Sequence, residues 1–299
     1  MDVTLYGVRG SIPAPGPNTL RYGGNTVSIS VQLADGTVLI LDAGTGLREF
    51  GRDLESSDEP PVSQAHLLLS HLHFDHVIGL PFFAPMFRQD FELLLHPVVS
   101  DRAPNRDPRE AIFDGIHTPM GLEALPSKTT AVLHEAPVWT IGSARVQRIE
   151  LNHPGGSQGF RIDDADGASI TYLTDNELLP PGAPRSTPEE QARFAAGTGL
   201  LVADAQLLPE DLPEKRGWGH STIPEALQLG RSAQPLCQLL FHHDPDRSDD
   251  ALDLIGEQVA AFAEAEFQRG PALVAKEGMR FRLSADSCLP LPPREAPRF

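Results

Sequence analysis

Residues 66–76 read His-Leu-Leu-Leu-Ser-His-Leu-His-Phe-Asp-His, and this stretch limits the possible folds more than any other. The apolar run 67–69 has the length and composition of a buried strand and stops at Ser70. His71, His73, Asp75 and His76 follow within six positions. Packing alone gives no reason to crowd four metal-coordinating side chains just past a strand end. Imidazole nitrogens with a carboxylate oxygen suit zinc, manganese or iron. A metal shell begun here needs its remaining ligands from elsewhere in the chain.

The same local pattern recurs downstream. The alternating run 146–151 ends in Asn152-His153-Pro154-Gly155-Gly156, and 170–173 ends in Thr174-Asp175-Asn176-Glu177. The run 200–203 ends at Asp204, and 239–241 ends at His242-His243-Asp244-Pro245. Each is a short apolar strand with a ligand-type residue at its C-terminal tip, the edge at which layered α/β folds build sites. Counted together, the tips offer His71, His73 and His153 to one metal, and Asp75, His76 and His242 to a second, with Asp175 able to bridge. Each shell keeps an open position for water, as a catalytic site does. Two ions about 3.5–4 Å apart can share a hydroxide and clamp both oxygens of an in-line displacement.

Elsewhere the signals are structural. Val3 and Leu5, then alternating Val27, Ile29, Val31 and Leu33, read as strands, with Asp35-Gly36 as a hairpin turn before 38–41. Asp42, followed by Ala43-Gly44-Thr45-Gly46, reads as a turn former in preference to a partner of a metal ligand. The glycines of 7–10 and 23–24 permit close backbone approach but lack the strand–turn–helix spacing of a dinucleotide loop. The apolar segment 77–87, broken by Pro81 and Pro85, predicts a short helix and then a wall of the site. Residues 101–136 read as an irregular insertion, with the whole 77–136 region lining the pocket and His96, His117 and His134 as surface or supporting residues. Thr187-Pro188-Glu189-Glu190 and Thr222-Ile223-Pro224-Glu225 are capping boxes that open two helices. Ser248 caps the longest helix, whose stripe is Leu252, Ile255, Val259 and Phe262 and whose stop is Gly270-Pro271. Val274 and 279–283 suggest a last strand pair, giving one domain over 1–285 and a Pro-rich tail over 286–299 that is surface-laid or disordered.

His71-Leu72-His73-Phe74-Asp75-His76 resembles the His-x-His-x-Asp-His signature of the metallo-β-lactamase superfamily, and Asp42, His153, Asp175 and His242 fall in the order of its other motifs. The resemblance spans roughly residues 3–283. It implies an α/β fold, the four-layer αββα sandwich: two mixed β-sheets face to face, helices outside and a dinuclear site at one edge. That site would hold two divalent ions, zinc first, with manganese or iron as alternatives. Gly219-His220-Ser221-Thr222 is similar to a motif of the ribonuclease Z and phosphodiesterase branch, in which the histidine pairs with an acid placed like Asp204 and acts near the leaving group. The branch therefore implies His220 and Asp204 as catalytic residues, with Asp75 counted among them as well as among the ligands. Its related His-x-Ser-Pro segment matches His242, three before Pro245, in preference to His243. Chemistry adds an independent reason: displacing an alkoxide from a phosphodiester needs a proton donor, and a carboxylate such as Asp204 would keep His220 protonated.

Charge narrows the substrate. The formal net charge is −17, and only three of the 24 Lys and Arg residues are lysines, so there is no basic arm to grip a long polyanion. A small phosphodiester, such as a cyclic nucleotide or short nucleotide, is expected over structured RNA. Hydrolysis of a carbonyl ester, thiolester or lactone at the same metals is the competing expectation, with a non-catalytic metal-binding protein behind it. No run reaches the roughly 18 apolar residues of a membrane helix. With no secretory signal pattern and only Cys237 and Cys288, too few for a disulfide framework, a cytoplasmic protein with no membrane partner is expected, and a homodimer is allowed.

Overall fold

Alternating apolar residues at the two ends of the chain build one sheet, and those of its middle build another. The computed structural model describes residues 1–56, 60–97, 108–116, 118 and 121–293. The first sheet contains β1 (Asp2–Gly7), β2 (Ser28–Gln32), β3 (Val38–Leu41), β4 (Gln64–Leu68), β5 (Glu92–His96) and β6 (Lys128–Ala131) in that order. The second contains β7 (Val138–Ile141), β8 (Ala144–Leu151), β9 (Ser157–Asp163), β10 (Ser169–Leu173), β11 (Leu200–Asp204), β12 (Cys237–Phe241) and β13 (Ala272–Val274), again in sequence. The chain then returns through β14 (Arg280–Leu283) and β15 (Cys288–Leu291), which add to the free edge of β1. Both sheets are mixed. Pairing is antiparallel up to β3 and up to β10, and parallel from there to β6 and β13.

Side-chain alternation decides the layering. Leu68 of β4 points between the sheets with Leu5, Ile29, Leu39 and Leu41, against Val146, Phe160, Ile162, Tyr172, Leu239 and Phe241 of the second sheet. Its neighbours Leu67 and Leu69 point the other way, onto Leu47 and Phe50 of α1 (Gly46–Ser56). At about 1.5–3 kcal/mol for each large apolar side chain removed from water, these interleaved faces supply the main drive for the sandwich. Five further helices and turns, α2 (Phe74–Val77), α3 (Pro108–Ile112), α4 (Pro188–Phe194), α5 (Leu212–Lys215) and α6 (Ile223–Ala233), precede the long α7 (Asp249–Glu266). α4, α6 and α7 cover the outer face of the second sheet through Ala192, Leu229, Leu252, Ile255 and Val259. The result is the αββα sandwich. Both capping boxes form: Thr187 accepts from Glu190 N and Thr222 from Glu225 N.

Several local expectations differ from the structure. Segment 77–87 makes the end of a one-turn α2 and two tight 3₁₀ turns, whose Leu80, Phe83 and Met86 pack beneath α1 rather than walling a cavity. The supposed irregular insertion contains α3 and the edge strand β6, while His117 lies outside the described residues. α7 stops at Glu266, ahead of Gly270-Pro271, because Phe267 already adopts an extended backbone and packs edge-on to Phe262. Residues 288–291 form strand β15 against β14.

His96 is neither on the surface nor near a ligand. It is buried in a chain of imidazoles, with His66 Nδ1 at 3.0 Å from its Nε2 and His134 Nε2 at 2.7 Å from its Nδ1, and His134 stacks on Trp139. Burial, helped by the two flanking rings, pushes His96 down to about 3. The folded pKa is thus below the unfolded value near 6.5, so between these two limits the unfolded chain binds a proton that the folded chain refuses, and stability falls as pH falls. We expect a urea-unfolding free energy that declines from pH 6.5 to 4.5, with His96→Gln removing up to about 1.4 kcal/mol per pH unit of that slope. An identical slope in the variant would contradict the assignment.

Candidate metal centre

One edge of the sandwich collects the ligand-type residues because strand direction brings them there. β3, β4, β10, β11 and β12 lie in parallel runs, so Asp42, Ser70-His71, Asp175, Asp204 and His242 leave the sheets at a common edge. β8 and β10 are each antiparallel to β9, so β8 shares β10's direction and delivers His153 to that edge as well. The tips are tightly folded. Ser11, Asp42, Asp175 and His242 are four of the five non-glycine residues with positive φ among the described residues. A left-handed residue costs roughly 1–2 kcal/mol, a strain concentrated here at the site.

The side chains form two clusters that share one carboxylate. Nitrogens of His71, His73 and His153 gather with one oxygen of Asp175, and Asp75, His76 and His242 gather with the other, all donor atoms of a cluster lying within 4.8 Å of one another. Asp175 Oδ2 is 3.6 Å from His71 Nε2 and 3.7 Å from His153 Nε2, which is 3.1 Å from His73 Nδ1. Asp175 Oδ1 is 3.1 Å from both His76 Nε2 and His242 Nε2, and Asp75 Oδ2 is 3.3 Å from the same two nitrogens. Atoms held by one ion at about 2.0–2.2 Å in tetrahedral geometry lie about 3.3–3.6 Å apart, so these spacings fit ligands around a cation. Among the described residues the buried Nε2 atoms of His71 and His76 have no well-aligned hydrogen-bond partner and face carboxylate oxygens instead, which fits the same reading. All seven side chains named from the sequence meet here. His243 turns away, its Nε2 2.9 Å from Ala275 O.

The electrostatics also favour a cation. Asp75 and Asp175 are buried, which alone would raise them, yet the surrounding histidines hold both carboxyl groups well below the usual range. Burial drives His71 down, leaving the neutral imidazole that can ligate. His76 is pulled down by burial but raised far more by Asp175, Asp75 and Asp42, so three carboxylates draw positive charge to that point.

The supporting layer is less visible in the sequence. Asp42 does more than form a turn, for it supports a histidine of the cluster: its Oδ2 accepts from His76 Nδ1 at 2.9 Å, Ser70 Oγ at 2.7 Å and Tyr172 OH at 2.8 Å. That bond leaves His76 Nε2 for an ion. His153 Nδ1 donates to Gly219 O at 3.0 Å, leaving its Nε2 likewise. Gly219 has φ of 92°, and a Cβ there would meet the His153 ring. A Cβ at Gly10 would meet His242. Glu177 accepts from the N–H groups of Gly217 and Gly219 and so fixes the turn that carries His220. Arg9, fully buried, donates to the carbonyls of Gly23, Asp244 and Arg247 and ties down the loop after His242.

His220 sits beside both clusters, its ring 5.3 Å from that of His153 and 5.0 Å from that of His242. Its Nδ1 donates to Asp204 Oδ2 at 2.8 Å, and Asp204 is itself fixed by the N–H groups of Gln206 and Ser221. Burial pulls His220 down, but the Asp204 charge and hydrogen bond prevail and hold it up at about 9. A cavity of about 410 Å³ opens over His73, Asp75, His153, Asp175 and His220. None of the described residues of 77–136 lines it, contrary to the expectation from the sequence.

Comparison with known proteins agrees with this geometry. The family model described as "Beta-lactamase superfamily domain" matches residues 37–243. A ribonuclease Z of Haloarcula marismortui is 24% identical over 330 residues, covering 95% of this chain and 97% of that protein. An uncharacterised protein of Mycobacterium leprae is 26% identical over 298 residues, covering 95% and 89%. A crystal structure described as a new diphosphatase from the PhnP family shares the fold with a TM-score of 0.65 at 17% identity, over 95% of this chain and 98% of that one.

Because Asp42 bonds His76 directly and reaches His71 of the other cluster only through Ser70 Oγ, Asp42→Asn should weaken the ion on the His76 side by about 10- to 100-fold and the other distinctly less. Titration of the loaded protein with a chelator reads this as a split between two previously closer release steps. Equal weakening of both ions, or of neither, would contradict it.

Proposed function

The chain belongs to the metallo-β-lactamase superfamily, and on that premise we propose that it is a dinuclear metal-dependent hydrolase of small phosphodiesters. His71, His73 and His153 would hold one ion and Asp75, His76 and His242 the other, with Asp175 facing both. Zinc is the first candidate, since five of the seven side chains are imidazoles, with manganese or iron as alternatives. When bound, the ions supply Lewis acidity and lower the pKa of water into the neutral range. The chain's own residues do the rest: the shared carboxylate fixes the spacing of the shells, and the strained strand tips hold the ligands before substrate arrives.

The observation that carries the phosphodiester reading is the His220–Asp204 pair at 2.8 Å beside both clusters. With Nδ1 committed to Asp204, His220 presents Nε2–H toward the cavity and can give that proton to a departing alkoxide. Asp204 then stabilises the charge it carried and holds its tautomer. Carbonyl esters, thiolesters and lactones need less help at the leaving group, so a buried proton donor favours the phosphodiester. The relative described as a ribonuclease Z, whose name implies cleavage of RNA phosphodiesters, supports phosphodiester chemistry. Size and charge favour a small substrate over structured RNA: the cavity is about 410 Å³ and the chain carries a net charge of −17. No helix among the described residues is long and apolar enough to cross a membrane.

His220→Ala should lower kcat on an unactivated phosphodiester by about 10²- to 10⁴-fold, the worth of a positioned general acid. On bis(4-nitrophenyl) phosphate, whose leaving group departs without a proton, the loss should be less than about tenfold. Equal losses on both substrates, or none on either, would remove His220 from the leaving-group role.

A further inference from the structure

Two large aromatic side chains stand in water at the mouth of the cavity. Phe74 is 74% exposed and Trp218 is 59% exposed, and both line the space above Asp75, His153 and His220. Neither is carried on a loose segment. Phe74 lies between His73 and Asp75 at the start of α2, so its neighbours go down into the clusters while its ring faces out. Trp218 lies between Gly217 and Gly219, whose positive φ values of 85° and 92° make the sharp turn that Glu177 clamps through both glycine N–H groups. Its own N–H donates to Lys215 O at 3.1 Å. Exposed rings on pinned backbone lose little freedom when a flat partner lies against them.

The floor and the rim ask for different parts of one ligand. Histidines and carboxylates suited to cations form the floor and would seat a phosphate through the ions. The rim offers two π-faces and the Ser11 hydroxyl, which accepts from Gln206 Nε2 at 3.1 Å and keeps its own proton to donate. A volume of about 410 Å³ lies toward the small end of ligand pockets and suits one or two nucleotides rather than a polymer. An acyl chain would need a deep aliphatic slot, whereas planar rings at an open mouth match a planar base, which stacks whatever its sequence.

We propose that Phe74 and Trp218 are a nucleobase platform, so that the phosphodiester taken by this centre carries a nucleobase stacked on these rings. This rests on the phosphodiester reading of the centre and names its substrate class. The two rings are specificity-determining residues and take no part in proton transfer.

The test compares binding of adenosine 5′-monophosphate and ribose 5-phosphate to the zinc-loaded protein by calorimetry, in wild type, Phe74→Ala, Trp218→Ala, Trp218→Phe and the double alanine variant. Adenosine monophosphate should bind wild type about 10- to 100-fold more tightly than ribose 5-phosphate, as one stacked base provides. Each alanine substitution should shrink that ratio, the double variant should bring it toward unity, and Trp218→Phe should keep most of it. A wild-type ratio near unity, or a ratio that survives the double variant, would overturn the platform. Turnover is read separately on cyclic nucleotides and thiolesters. A preserved base preference with no phosphodiester turnover would defeat the hydrolytic reading while leaving the platform standing, and turnover without base preference would do the reverse.

Discussion

Everything at the edge of the sandwich depends on one buried charge. Asp175 is 2% exposed, and an ionised carboxylate in such a place costs several kcal/mol unless positive charge and hydrogen bonds offset it. Thr174 Oγ1 supplies one hydrogen bond at 2.8 Å, and His71, His76, His153 and His242 surround the two oxygens. The histidines offset only part of that cost, whereas a cation on each side would satisfy the carboxylate and its histidines together. The geometry of the two clusters follows from this requirement, since each oxygen defines one of them.

The sheets exist, in functional terms, to bring distant strand ends to that carboxylate. His71 and Asp175 are separated by more than a hundred positions, and His242 lies farther still, yet parallel strand runs in both sheets put all three at one edge. Left-handed backbone at Asp42, Asp175 and His242 turns each chain sharply as it leaves its strand. The cohesion between the sheets supplies far more stability than these turns remove, because a single buried leucine or phenylalanine offsets one left-handed residue.

What could be read from the sequence was whatever is local or periodic. The His71–His76 cluster announces itself by spacing, and His153, Asp175 and His242 by their place after apolar strands. The layers follow from alternation, and the helices from their caps. What escaped depends on partners far away in sequence. Asp42 looks like a turn former because Ser70, His76 and Tyr172, which it serves, are from 28 to 130 positions away. Arg9 gives no hint that its guanidinium is buried among carbonyls near residue 245, and Glu177 none that it clamps the turn before His220. The edge strands β6 and β15 are short and polar or proline-bearing, so neither shows strand periodicity. His66, His96 and His134 form a chain only once β4 and β5 are paired.

The most direct test of this account is anomalous diffraction from crystals of the zinc-loaded protein. It predicts two peaks about 3.5–4 Å apart, each within about 2.0–2.2 Å of a different oxygen of Asp175. A single peak, or two peaks with Asp175 bound to only one, would contradict it.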